Sequence, residues 1–211
     1  MKRFSFFILL LGILVFIPST SFALFDVGVY GGYSFLGKVK KDSTKDDVEN
    51  YDLQGWEYGF IAHYNGKILP VFLSYGIGTF VQYAPLQANG VEYYPSHVNN
   101  PTEDDKEETD VSYQKKQVGV DAYLQLNLLM LHPYVRIAWT VWEGVEGQNV
   151  DGAQIVDKKQ EYFKTYLTGV GLAVGVLPLI QVYVEYLYVT GESANNEVTN
   201  NSVHLGARIY F

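Results

Sequence analysis

Ser202 and His204 place a hydroxyl and an imidazole in an S-x-H spacing, the pair in this chain best suited to nucleophilic chemistry. Acyl transfer needs more: a base to take the hydroxyl proton, a carboxylate to orient that base, and a face open to the substrate. Both residues lie in "SVHLGARIYF", where Val203, Leu205, Ala207, Ile209 and Phe211 alternate with Ser202, His204, Gly206, Arg208 and Tyr210. Alternation turns Ser202 and His204 to the face away from the apolar set, so they read as solvated strand-end residues. His63, His97 and His132 fall on other strands or loops, and no two histidines share a strand or turn. A metal site is not expected. The acidic run "NNPTEDDKEETD" lacks the D-x-[DN]-x-[DN]-G spacing of a calcium loop and reads as a hydrated surface loop. No cofactor is expected.

Period-two alternation recurs along the chain and predicts eight β-strands, over 25–35, 56–64, 71–83, 117–128, 134–142, 162–176, 180–189 and 202–211. The connections after the second, fourth and sixth strands are short ("NGKILP", "LMLHP", "LP"), each with a Pro where the next strand begins. Those after the first, third, fifth and seventh are long and polar, the largest covering about residues 84–112. This is an up-and-down meander with two unlike ends.

Composition agrees with an all-β domain. Among 211 residues there are 18 Tyr, 12 Phe, 3 Trp and 20 Gly, which suit strands and tight turns. With no Cys there is neither a disulfide framework nor a thiolate metal site. Lys2 and Arg3, the apolar run "FSFFILLLGILVFIP" and small residues up to Ala23 read as a secretory signal peptide over 1–23, cleaved after Ala23. Removing Lys2 and Arg3 from 15 basic side chains leaves 13 against 23 acidic ones, a net charge of −10. That balance argues against nucleic acid as a partner.

The two strand faces differ in an informative way. One is aliphatic and aromatic. The other is mostly Gly, Ala, Ser, Tyr and Gln with single charges, too poor in charge to face water. A closed barrel in lipid wants this pattern, polar in and apolar out, with aromatics such as Trp56, Tyr58, Tyr64, Tyr83, Tyr162 and Tyr188 gathered at the interfaces. An open sheet edge in hydrocarbon would strand its backbone polar groups, so the last strand must pair with the first. Residues 24–211 are therefore expected to form an all-β, eight-stranded antiparallel up-and-down transmembrane β-barrel.

That register assigns the interior. Asp26 is expected to pair with Arg208 across the closing seam, with Arg136 nearby. Phe80, Trp142, Leu167, Leu187 and Val189 are expected to face the upper lumen. There they form either a mutual plug or a pocket for a small hydrophobic ligand, with Thr140 and His204 as orienting polar groups.

With its strand count and terminal Phe, the chain resembles the small eight-stranded OmpA/OmpX-type outer-membrane barrels of bacteria. In that group the alternating last strand with its terminal aromatic, here including Ile209 and Phe211, is read by the barrel-assembly machinery. The resemblance implies a protein exported through its signal peptide to the outer membrane of a Gram-negative-type bacterium and surrounded by outer-membrane lipid. It further implies a non-enzymatic protein presenting four acidic extracellular loops for surface structure or to an extracellular partner. The alternative is a narrow, porin-like conduit or pocket for a small hydrophobic solute.

Overall fold

The computed structural model describes residues 24–41, 51–69, 72–93, 107–147, 149–150, 153–154, 159–162, 164–193 and 196–211. The signal peptide, His97 and most of the acidic run lie outside these residues. Eight long strands form the molecule: β1 (Phe25–Lys41), β2 (Tyr51–Leu69), β3 (Leu73–Tyr93), β4 (Glu107–Leu126), β5 (Leu131–Gly147), β6 (Thr165–Leu177), β7 (Ile180–Ser193) and β8 (Asn196–Tyr210). Each pairs antiparallel with its sequence neighbours, and β1 pairs with β8. A short segment, Lys159–Tyr162, continues the wall beside the upper part of β5.

Closure runs to the last residue. Asp26 pairs with Tyr210, and the Phe211 N–H donates to the Phe25 carbonyl at 2.8 Å. Phe211 thus ends the seam strand, and its ring is exposed on the outer surface with that of Ile209. No sheet edge is left along this seam, as hydrocarbon demands.

The strands are longer than the alternation predicted. Residues 84–93 and 107–112, expected to belong to a polar loop, extend β3 and β4. The reason is an inversion of polarity with height. In lower β4 the outer face is Val118, Val120, Leu124 and Leu126, and the inner face is Gln117, Asp121 and Gln125. Above Gln117 the outer face becomes Ser112, Gln114 and Lys116, and the inner face Val111 and Tyr113 beside the buried Lys115. β3 inverts at the matching height: Gln87 and Asn89 are exposed outside, and Ala84, Leu86 and Ala88 are buried inside. The lower barrel is built for hydrocarbon, whereas the upper barrel carries an ordinary apolar core facing water on its outside. The two apolar clusters of the interior follow this division, one around Leu86, Val111 and Tyr113, the other around Phe80, Tyr134 and Leu187.

One residue shifts the register of β5. Val118 pairs with Trp142 but Gly119 with Thr140, so Val141 is the extra residue of a β-bulge. Beyond it inward and outward positions exchange. Trp142 therefore joins the outer face, opposite Val118 and Tyr162, and Glu143 turns inward. The expectation that Trp142 lines the lumen is corrected by this bulge.

Candidate functional site

The lumen of the lower barrel is where the charged side chains converge. Asp26 and His63 are directly opposed on β1 and β2, so their inward side chains meet. His63 Nδ1 lies 2.9 Å from Asp26 and Nε2 lies 3.1 Å from Asp121, the ring and both carboxylates being buried. Both bonds to ionised carboxylates coexist only when the ring is an imidazolium. Asn65 and the Tyr123 hydroxyl donate to the other Asp26 oxygen at 3.0 and 3.1 Å. Arg136 extends the chain, donating from Nε to Asp121 at 2.7 Å and from Nη1 to Glu185 at 2.9 Å. The network thus ties β1, β2, β4, β5 and β7 together across the barrel.

Arg208 is placed differently from the expected seam pair. Its Cα is opposite Gly28, two residues above Asp26, and no contact of ion-pair length joins it to Asp26. Its guanidinium donates to Gln181 at 3.0 Å and to Gln125 at 2.5 Å. Around it stand the rings of Tyr123, Tyr134, Tyr183 and Tyr210, with centroids 4.8 to 5.7 Å from the guanidinium carbon. Cation–π attraction and two amide acceptors replace the carboxylate. The seam expectation fails because His63, directly across the β1–β2 ladder, already occupies Asp26.

Glycines make room for these rings. Tyr30, Tyr123, Tyr134 and Tyr183 pair with Gly59, Gly76, Gly171 and Gly206 on adjacent strands. A Cβ on Gly206 would stand 2.4 Å from Tyr183 Cζ, and one on Gly171 2.3 Å from Tyr134 Cζ. Each tyrosine lies flat over a neighbouring glycine, and the four rings fill the barrel's width.

Higher in the lumen, His204 Nε2 meets Glu57 at 2.5 Å, and its ring stacks on Tyr30 at 4.6 Å. Ser202, two positions along β8, is fully buried, and its Oγ has no hydrogen-bond partner. Neither residue reaches a surface that a substrate could approach. Phe80, Leu167, Leu187 and Val189 do face inward, all less than 5 % exposed and packed in one cluster with the tyrosines. Thr140 is buried just above, where it accepts from Gln117 at 3.3 Å. Glu143, turned inward by the bulge, accepts from Gln117 at 2.5 Å and Thr165 at 3.0 Å and lies 3.3 Å from Lys115. Its role was hidden in the sequence because the predicted strand ends at Trp142, and alternation carried one residue further would turn Glu143 outward.

A cavity of about 10 Å³ lies between residues that include His63, Tyr134, Arg136, Glu185 and Arg208. Among the described residues no group of three or more His, Asp and Glu side chains is arranged to hold a metal ion.

Closed seam, lipid-type outer face and filled polar lumen together define an eight-stranded barrel of the outer-membrane type. Comparison with one solved structure agrees on the fold. The crystal structure of Neisserial surface protein A superposes with a TM-score of 0.53 at 14 % identity, over 89 % of this chain and 97 % of that one. The outer membrane protease OmpT from Escherichia coli matches at a TM-score of 0.47 and 11 % identity, over 89 % and 96 %. Ail, the attachment invasion locus protein of Yersinia pestis, in complex with the heparin analogue sucrose octasulfate, matches at 0.40 and 16 % identity, over 89 % and 99 %. No protein-family model matches the chain, and no curated protein is similar to it in sequence.

Proposed function

We propose that this protein is a non-enzymatic, non-conducting barrel of the bacterial outer membrane, exported through a cleaved signal peptide and acting through its extracellular end. The observation that carries this reading is the division of the barrel by height. The lower lumen is crossed by the Asp26–His63–Asp121–Arg136–Glu185 network and four tyrosine rings. The upper barrel rises above the apolar belt as a water-facing wall with its own core. A rigid platform below, with exposed strands and acidic connections above, is how scaffolds usually present binding surfaces. The partner of those connections is extracellular. The barrel-assembly machinery meets the chain only during folding, through the strand that ends in Ile209 and Phe211. A conduit for small apolar solutes is the weaker reading, because Phe80, Leu167 and Leu187 are sealed against one another and the tyrosines.

The test is conductance of the refolded protein in a planar bilayer, alone and as Arg136→Ala. No unitary steps from the wild-type protein are expected. Steady, reproducible steps would overturn the plugged-barrel reading and favour a conduit.

A further inference from the structure

The periplasmic turns that join β4 to β5 and β6 to β7 are apolar where turns that face water are polar. Leu128 and Leu131 exchange two backbone hydrogen bonds of 2.9 Å and close a two-residue turn on Leu129 and Met130. Leu129 has φ +56°, a conformation that falls to Gly, Asn or Asp when a turn is built for water. A bulky aliphatic side chain held there gains nothing from water. It is nonetheless 67 % exposed, and Met130 is 58 % exposed. The next turn repeats the pattern, with Leu177 and Leu179 exposed on either side of Pro178. Neither 127–131 nor 176–180 contains a charged side chain.

These turns continue a surface already assigned to lipid. The outward positions from Val118 on β4 to Leu128 in the turn that follows it are all apolar. At about 3.3 Å per residue and a tilt near 40°, that stretch spans roughly 25 Å, the height of the apolar band on outer-membrane barrels. A band that stopped at Leu126 would fall short. The apolar thickness is complete only when the turn is counted.

We propose that the turns at Leu128–Leu131 and Leu177–Leu179 form a lipid-binding surface for the acyl chains of the periplasmic leaflet, so that this end of the barrel is immersed in lipid. The proposal rests on the membrane-barrel reading above. The occupant is acyl chain rather than headgroup because the turns carry no charge and run without a break into the lipid belt.

The chain has no cysteine, so single labels are unambiguous. Leu129→Cys, Leu177→Cys, Ile137→Cys and Gln114→Cys variants, each carrying an environment-sensitive fluorophore, are refolded into phosphatidylcholine vesicles with acyl-brominated lipid or with aqueous iodide. Labels at positions 129 and 177 are expected to lose as much emission to brominated lipid as the mid-belt label at 137, and to resist iodide. The label at 114 is expected to respond to iodide alone. Iodide quenching at 129 and 177, with 137 still protected, would overturn the proposal and leave the turns as a surface for a periplasmic protein. Iodide quenching at 137 as well would overturn the membrane reading itself.

Discussion

Trp142 stands opposite Val118 on the outer face of the barrel, although the residue before Val118 in the lumen, Gln117, bonds to Glu143 and not to the indole. The Val141 bulge produces this exchange, and it brings a carboxylate to Lys115, Gln117 and Thr165. Glu143→Ala leaves a buried lysine without that partner and is expected to cost about 3–5 kcal/mol. Deleting Val141 removes the extra residue and leaves Trp142 opposite Val118 and Glu143 inward in a regular ladder, so it is expected to lower the urea midpoint less than Glu143→Ala does. A deletion as costly as Glu143→Ala would show that Val141 is more than an extra residue in the ladder.

Arg136 holds two carboxylates apart on β4 and β7. Arg136→Met leaves Asp121 and Glu185 facing each other across a buried gap, at an expected cost of about 3–5 kcal/mol in urea unfolding. Combining it with Asp121→Asn and Glu185→Gln removes the uncompensated charge and should recover much of that loss. A triple variant no more stable than the single one would show that Arg136 acts through packing, for instance against the Phe80 ring 5.6 Å away.

Tyr183 and Gly206 form one of the ring-over-glycine pairs that fill the lumen. Gly206→Val overpacks this site and is expected to cost about 1–3 kcal/mol. In a Tyr183→Ala background the same substitution meets empty space and should cost less. Additive losses in the double-mutant cycle would deny the contact.

The strand count, the antiparallel meander, the closing seam and the lipid-facing side were all legible in the residues. Those depend on period-two patterning, which is local and written into each segment. Phe80, Leu167, Leu187, Val189, Asp26, Arg136 and Arg208 all point inward for the same reason. Alternation could not give their partners. Asp26 bonds His63 rather than Arg208 because pairing offsets set which inward side chains share a level, and Arg208 is drawn instead to a ring of tyrosines from β4, β5, β7 and β8. Nor could it foresee Val141, whose one-residue shift sends Trp142 outside and Glu143 inside. The upper extensions of β3 and β4 escaped for a further reason: above the belt, apolar and polar faces exchange, so a pattern tuned to lipid reads as loop. Which residues face inward is a property of each strand, but which of them meet is a property of the closed ring, and only the tertiary structure fixes it.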